Sequence, residues 1–315
     1  MNRIKSKISI CSLAYNHVNY LDDFFNGILN QQITHYKTEI IIGIDKCDDG
    51  TLDKCIAYKN KFPHLFRLII HAERVGMMQN FVSVLSSADG EYIAFCECDD
   101  YWIDDCKLAD QVKLLSSNKD AGICFTNIKM LNSRNSLFEQ NWARITKEKY
   151  SLEDILKVNV ITNCSVVMKN NLDINILNKV LQFRVGDWPL YILSMMKDNT
   201  IAVYMNKITA VYRQHDGGSH STKNTLQRLD IINSVYTLLL KTGVSAAAEK
   251  LIIRALSKNY YSQGIFQSDV PQARMSYILA IKKWNLLNHK YPFLSVLRYL
   301  QTFLLLILIL IRVKL

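Results

Sequence analysis

Proline is scarce in this sequence of 315 residues, which contains only four, and charged residues make up 21% of the chain. This composition argues against long disordered stretches, which are usually rich in proline and charge. No internal repeat and no low-complexity tract interrupts the chain. With 49% hydrophobic residues, the chain is long enough for one α/β domain of about 200–250 residues and a smaller appendage.

The eight cysteines lack any CxxC pair, and several lie within apolar runs. A disulfide framework is therefore not expected, and the pattern is typical of reduced core cysteines. Cys96 and Cys98 form a CxC pair, but no second Cys/His pair lies near them in sequence. A zinc site at this pair is accordingly disfavoured.

The apolar run at the end of the chain is too short for a membrane-spanning helix, which needs about 20 such residues. It covers Tyr299–Ile311, is interrupted by Gln301 and Thr302, and is followed by basic residues. We predict a membrane-seeking tail, about residues 293–315, that lies in the bilayer interface with its basic residues toward the headgroups. Docking on another protein is the alternative. The basic N-terminus reads as the start of a first strand, which disfavours a secretory signal.

The net charge of +10 favours attraction to phosphorylated ligands or to an anionic lipid surface, although a basic solvated surface also explains it. The basic residues do not form an interleaved basic–aromatic stretch, so nucleic acid is not expected as a partner.

The first half of the chain alternates strand and helix patterns. Asn19 is the predicted N-cap of the first helix, because Asp22 and Asp23 suit its first turn. We predict strands over residues 8–14, 39–44, 66–70 and 91–96, with helices near 21–29, 52–61 and 78–87 between them. This order predicts a mostly parallel sheet with helices on both faces. Such sheets bind ligands at the carboxyl ends of their strands.

The second half of the chain shows a looser pattern. We predict strands at 122–130 and 164–168, a helix at 188–196, a pair of strands at 201–205 and 208–213, and helices from Thr225 onward. A loop rich in glycine and serine, residues 215–221, is expected to be mobile. The predicted division is a catalytic α/β domain over residues 1–222 and a helical region over 223–315.

The segment after the fourth predicted strand carries three carboxylates within four residues, at Glu97, Asp99 and Asp100. Clustered carboxylates repel one another and are costly to desolvate. Mg²⁺ or Mn²⁺ removes this repulsion, takes oxygen ligands and fills its other positions with phosphate oxygens and water. The alternative is a solvated acidic turn before the next helix, where Asp104 and Asp105 would favour the helix N-terminus.

The sequence resembles the family 2 glycosyltransferases of GT-A fold, in particular bacterial enzymes of capsule, wall and lipopolysaccharide synthesis. The resemblance covers about residues 6–222 and rests on the order and spacing of ISICSLAYNH, EIIIGIDKCDDGT, RVGMMQNF, YIAFCECDDYW, GDWPLYIL and YRQHDGGSHS. It implies that Mg²⁺ or Mn²⁺ is held by Asp99, with His215 as an additional ligand. A solvated loop residue is the alternative for His215.

The resemblance also implies roles for residues around the donor and the acceptor. The donor contacts are Asp45 at the base, Asn80 near the diphosphate or base, Glu97 at the ribose or a metal-bound water, Asp100 near the sugar, and Arg213 over the diphosphate. The acceptor pocket is shaped by Trp188. The sequence departs from the family pattern at Ile44, Arg74, Cys98 and Gly186.

Asp187 matches the catalytic base of the family. An inverting transfer needs one base to accept a proton from the attacking hydroxyl, and such help is worth on the order of 10²–10⁴-fold. Taken alone, an Asp followed closely by Pro189 favours a helix N-cap, whereas the resemblance favours the base; the two roles can coexist.

The resulting prediction is an inverting, metal-dependent glycosyltransferase that uses a nucleotide-sugar, UDP-sugar above all. Its acceptor is a glycan or a lipid-linked glycan, and it is peripheral on the cytoplasmic face of the cell membrane. A nucleotidyltransferase is a rival, but it needs a Gly-rich, Lys/Arg-bearing phosphate loop where this chain has LAYNHVNY. A non-catalytic membrane-bound partner with the same fold is the second rival.

Overall fold

The computed structural model describes residues 6–33, 35–132, 136–139, 145–218 and 223–268. The chain divides into two compact units, Met1–Thr222 and Lys223–Leu315, which are described separately. The predicted membrane-seeking tail lies outside the described residues, as does the end of the predicted loop at 215–221.

Within the described residues of the first unit, ten strands form one sheet, in the order β3-β2-β1-β4-β9-β6-β10-β5, with β7 beside β6 and β8 beside β10. The strands are β1 (Lys7–Ala14), β2 (Lys37–Ile44), β3 (Phe66–Ile70), β4 (Tyr92–Phe95), β5 (Tyr101–Trp102), β6 (Ala121–Leu131), β7 (Leu137–Glu139), β8 (Lys149–Tyr150), β9 (Val167–Lys169) and β10 (Ile201–Arg213). The helices are α1 (Leu21–Leu29), α2 (Thr51–Lys61), α3 (Met77–Ser86), α4 (Lys107–Ser117), α5 (Leu152–Lys157), α6 (Ile174–Val180) and α7 (Asp187–Asp198).

The first four strands of the sheet order, β3, β2, β1 and β4, pair in parallel. β1 is buried along almost its whole length, as expected for a central strand of a parallel sheet that is covered on both faces. β9 then pairs antiparallel with both β4 and β6, while β6 and β10 are parallel. The predicted mostly parallel sheet is thus confirmed, with β9 as an antiparallel insertion.

The predicted pair of strands at 201–205 and 208–213 is wrong. Both segments belong to the single strand β10, which pairs in parallel with β6 along its length. The register shifts between Met205 and Ile208, and again before Ala210. The polar residues Asn206 and Lys207 therefore mark an irregularity of one strand, where two extra residues interrupt the ladder without reversing the chain.

Helix α1 begins differently from its prediction, because its N-cap is Tyr20, and no side chain caps it. Its apolar face, which includes Phe24, Phe25 and Ile28, is buried in the main core. Gly27 lies on this face, where an added Cβ would stand 2.5 Å from the main-chain oxygen of Trp102. The helix can therefore approach β5 this closely only because residue 27 has no side chain.

The part of the second unit that the structure describes, residues 223–268, contains two helices, α8 (Thr225–Lys241) and α9 (Ala246–Ser268). Asn224 and Gln227 form a capping box that starts α8. Gly243, at a φ of +76°, lies in the connection, where a residue without Cβ adopts this backbone easily. Among the described residues, no helix combines the length and apolarity that crossing a membrane requires.

Candidate active site

The acidic segment Glu97–Asp100 continues directly from β4. The N–H of Cys96 donates to the carbonyl of Cys11, and the N–H of Cys98 donates to that of Leu13. The pairing between β1 and β4 therefore extends past the last strand residue. This places the acidic segment beside the carboxyl end of β1, where parallel sheets bind ligands.

Asp99 lies between two histidines from distant parts of the chain. Its Oδ2 is 3.0 Å from Nε2 of His215 and 3.8 Å from Nε2 of His17. One donor atom from each of the three residues lies within 4.8 Å of the others. We call these residues the Asp99 cluster; they bring together the loop after β1, the acidic segment and the end of β10.

The electrostatics of the Asp99 cluster suit a cation ligand set. Burial acts to raise the pKa of Asp99, but the hydrogen bond with His215 and the charges of His17 and His215 together outweigh it and hold the pKa below its ordinary value. Burial lowers the pKa of His17, which favours the neutral ring. Oδ1 of Asp99 is buried and accepts no hydrogen bond within the described part of the chain. A buried acceptor of this kind is costly unless a ligand satisfies it.

His17 is the residue that sequence reasoning missed, since none of the histidine spacings indicated it. Asn16 adopts a left-handed conformation, with φ of 56°, which asparagine tolerates better than most residues. The N–H of His17 donates to Oγ1 of Thr51 at 2.8 Å, and the N–H of Val18 donates to Asp49. The turn after β1 is therefore anchored to the start of α2.

Glu97 is within electrostatic range of both Asp99 and Asp187. Nδ2 of Asn163 donates to its Oε1 at 2.6 Å, and the hydroxyl of Tyr191 donates to Oδ1 of Asn163 at 2.5 Å. Burial, together with the charges of Asp99 and Asp187, raises the pKa of Glu97 to about 8. Both aspartates are thus close enough to act on the same carboxyl group.

Asp187 is the first residue of α7, and Gly186 occupies the N-cap position. Asp187 is therefore not the N-cap that its proline-containing context favoured, although its carboxylate lies at the helix start. Burial outweighs hydrogen bonding from main-chain N–H groups and raises the pKa of Asp187 above its ordinary value. An added Cβ at Gly186 would stand 2.6 Å from the ring of Phe81, which explains a glycine before Asp187.

Asp45 and Asn80 serve the scaffold in this structure. The two carboxylate oxygens of Asp45 accept the N–H groups of Val75 and Gly76, at 2.8 and 2.9 Å. Asn80 is 2% exposed, and its side chain donates to the carbonyl of Gly43 at 2.8 Å. The predicted contact of Asp45 with a base and that of Asn80 with a diphosphate find no support in this geometry.

Asp100 and Arg213 tie the acidic segment to the end of β10. Asp100 is buried and accepts the N–H of Arg213 at 2.9 Å. The Arg213 side chain donates from Nε to the carbonyl of Asp99 at 2.9 Å and from Nη2 to Asp23 at 2.7 Å. Its guanidinium also lies over the rings of Tyr20 and Tyr101. The guanidinium is thus committed to protein partners, and the predicted contacts of Arg213 with a diphosphate and of Asp100 with a sugar are not supported.

Trp188 belongs to the core. Its indole is 5% exposed and its Nε1–H donates to the carbonyl of Ile155 at 2.9 Å. The prediction that this side chain shapes an acceptor pocket therefore has no support in the described structure. The predicted residues that remain around the acidic segment are Glu97, Asp99 and His215, together with Asp187, whose charge acts on Glu97.

The sheet topology and the acidic segment after β4 are those of a glycosyltransferase, and a comparison with protein families agrees with this class. Residues 9–176, more than half of the chain, match glycosyl transferase family 2. The chain therefore belongs to this family. An uncharacterized protein of Mycobacterium tuberculosis, Rv1520, is 33% identical over 216 residues, which are 67% of this chain and 60% of that protein. The chain thus matches well under two thirds of that relative's length.

Other relatives and solved structures agree on the family and the fold. TuaG of Bacillus subtilis, named for teichuronic acid biosynthesis, is 28% identical over 71% of this chain and 85% of its own length. Mannosyltransferase PcManGT from Pyrobaculum calidifontis, solved with GDP-Man and Mn²⁺, aligns over 96% of this chain and 81% of its own, with a TM-score of 0.63 and 14% identity. TarS 1-349 of S. aureus, solved with UDP, aligns over 91% of each chain, with a TM-score of 0.59 and 13% identity. At these identities the two structures establish the GT-A fold alone.

Proposed function

We propose that this protein transfers a sugar, with inversion at the anomeric carbon, from a nucleoside-diphosphate sugar to a glycan or lipid-linked acceptor in cell-surface polysaccharide synthesis. A UDP-sugar is the first donor to test. The observation that carries the proposal is the placement of Glu97, whose pKa responds to both Asp99 and Asp187. This supports the assignment of a candidate cation-binding carboxylate, Asp99, and a candidate base, Asp187, to one site.

The Asp99 cluster fits Mg²⁺ or Mn²⁺, because it offers a carboxylate and imidazole nitrogens around a buried oxygen that lacks a protein partner in the described chain. When bound, the cation offsets the negative charge that develops on the departing diphosphate. Solved proteins of the same fold contain UDP, or GDP-Man with Mn²⁺, which supports a nucleotide-sugar donor.

Asp187 is the proposed general base. Its carboxylate accepts the proton of an acceptor hydroxyl as that oxygen forms a bond to the anomeric carbon. The bond between the anomeric carbon and the diphosphate oxygen breaks at the same time, and the nucleoside diphosphate leaves with the electron pair. The raised pKa of Asp187 improves the match between base and hydroxyl, because a more basic carboxylate holds the proton better.

The proposed acceptor class rests on the name of a relative, and the proposed location at the membrane rests on the apolar tail. WfgD of Escherichia coli, 26% identical over 69% of this chain and 80% of its own, carries a name that specifies a diphosphoundecaprenol-linked acceptor. The apolar tail at 293–315 supports a peripheral site on the inner face of the membrane. Deletion of residues 299–315 should abolish co-sedimentation with anionic vesicles, and unchanged sedimentation contradicts the membrane anchor.

The proposed activity is tested by a screen of nucleotide-sugars for transfer to lipid-linked glycan acceptors, with Mg²⁺, with Mn²⁺ and with EDTA. We expect transfer with one donor, dependence on a divalent cation, and inverted stereochemistry in the product. Thermal stabilisation by UDP with Mn²⁺ gives a second readout. If no nucleoside diphosphate stabilises the protein and no donor is consumed, the non-catalytic partner is the better reading.

A further inference from the structure

We propose that His17 is a third protein ligand of the divalent cation at Asp99 and His215, and that its imidazole makes the site prefer Mn²⁺ to Mg²⁺. This inference deepens the proposed function and rests on it. It concerns the choice of cation, which the transfer chemistry itself does not fix.

The spacing of the donor atoms supports a shared cation. Two atoms that bind one cation at about 2.1 Å each lie roughly 3–4 Å apart. The observed separations from Oδ2 of Asp99 are 3.0 Å to His215 and 3.8 Å to His17. The whole set lies within 4.8 Å, so a small side-chain movement closes it around an ion.

The ring of His17 is directed at Asp99 by its own loop. Thr51 holds the main chain of His17, and Asp49 accepts from Val18 and from Thr51. The side chain of His17 is 14% exposed, so its approach to the Asp99 carboxylate is not a chance position of a mobile surface group. Ligands that are held in place before binding lose less entropy when the cation arrives.

His215 is held in a comparable way from the other side. Its ring lies 4.8 Å from the ring of Tyr20 and 6.1 Å from that of His17. Tyr20 is also covered by the guanidinium of Arg213, which is fixed to Asp99 and Asp23. Two imidazoles and one carboxylate therefore converge from three separate segments.

The donor set determines the expected preference. Mg²⁺ prefers oxygen ligands and retains water, whereas Mn²⁺, as a first-row transition ion, accepts an imidazole nitrogen more readily than Mg²⁺ does. One imidazole beside a carboxylate still leaves an oxygen-dominated site once phosphate oxygens and water are counted. A second imidazole replaces a further oxygen, which weakens Mg²⁺ binding more than Mn²⁺ binding.

The test is Mn²⁺ binding by the full chain, measured by electron paramagnetic resonance with and without UDP, and Mg²⁺ competition in the same titration. Pulsed measurements on protein with ¹⁵N-labelled histidine count the imidazole nitrogens on bound Mn²⁺. We expect two in the wild type and one in His17→Gln and in His215→Gln. His64→Gln, a change at an exposed histidine remote in sequence from the site, is the matched control and should keep two.

His17→Gln should weaken Mn²⁺ binding by about tenfold or more, since even partners behind the ligands are worth about 10–100-fold in affinity. Mg²⁺ binding should fall by less, so the ratio of the two affinities drops. A single imidazole nitrogen on wild-type Mn²⁺, or an unchanged affinity ratio in His17→Gln, overturns the inference while leaving the transfer proposal intact. If the wild type binds no divalent cation with UDP and transfers sugar in EDTA, the metal dependence itself is wrong. The nitrogen count on the wild type needs no variant, so a poorly folding His17→Gln does not prevent a decision.

Discussion

Replacing Gly27 by alanine is expected to separate helix α1 from strand β5. The added Cβ would stand 2.5 Å from the main-chain oxygen of Trp102, 2.7 Å from its nitrogen and 3.2 Å from its carbonyl carbon. Normal contact between such atoms needs roughly 3.5 Å, so the helix or the strand must move by about 1 Å. Neither partner is a flexible side chain that can turn away.

The size of the effect follows from two opposing contributions. Overpacking of a tight core contact costs about 1–3 kcal/mol, and a clash with main chain belongs at the upper end. Alanine returns about 1 kcal/mol in helix propensity relative to glycine. We expect a net loss of about 2 kcal/mol in the free energy of unfolding. Phe24, Phe25 and Ile28 would move with the helix, which adds to the loss.

Urea denaturation followed by far-UV circular dichroism measures this loss as a lower midpoint with an unchanged slope. Asn26→Ala is the matched control, because Asn26 is exposed on the same helix and alanine improves its propensity. A Gly27→Ala protein as stable as the wild type, or more stable, refutes the argument from close approach. In that case helix propensity outweighs the contact.

Three further predictions address the site and the core. Asp187→Asn should lower transfer by about 10²-fold or more while leaving UDP·Mn²⁺ stabilisation intact, and substantial residual turnover contradicts its role as base. Asp49→Ala should weaken Mn²⁺ binding several-fold, because it removes the hydrogen bonds that fix the turn carrying His17. Asp48→Ala, a change at an exposed neighbour, should leave the affinity for Mn²⁺ unchanged. Equal affinities in the two variants argue against a role of Asp49 in holding this turn. Burial lowers the pKa of Lys107 to about 8 in the folded protein. Between about pH 8 and 10.5 the unfolded chain therefore binds more protons at this residue than the folded protein does, so the contribution of Lys107 to the free energy of unfolding rises with pH across that window. Relative to Lys107→Met, the wild type should gain roughly 3 kcal/mol of unfolding free energy over this range, and parallel pH profiles contradict it.

The parallel part of the sheet could be predicted from sequence because its signals are local. Strand β3 was predicted with its observed ends, and β1 and β2 within two residues, since continuous apolar runs between polar turns carry the information. Strand β10 could not be predicted as one strand. Asn206 and Lys207 could form either a turn or an irregularity within a strand, and the outcome depends on pairing with β6, which lies about 80 residues earlier in the chain. Local polarity does not report that pairing.

The contacts of the candidate site depend on the fold more than its position along the chain does. Acidic residues after strands predict a site at the carboxyl edge of the sheet, beside which Asp99 lies, and the charge of Asp187 acts on the neighbouring Glu97. Asp45, Asp100 and Arg213 resemble ligand contacts in the sequence, but their polar atoms are engaged by main-chain groups and by Asp23. His17 had no usable spacing, since its partner Asp99 lies in the segment after β4, which only the fold brings beside it.

Helix α1 links the packing of the sheet to the chemistry of the site. Its inner face holds Gly27 against β5, and its first turn presents Asp23 to Arg213, a residue 190 positions later. Tyr20, just before the helix, contacts both Arg213 and His215. A displacement of α1 should therefore disturb His215 as well as the core. Gly27→Ala is accordingly expected to weaken Mn²⁺ binding along with stability, whereas a purely local packing defect would lower stability alone.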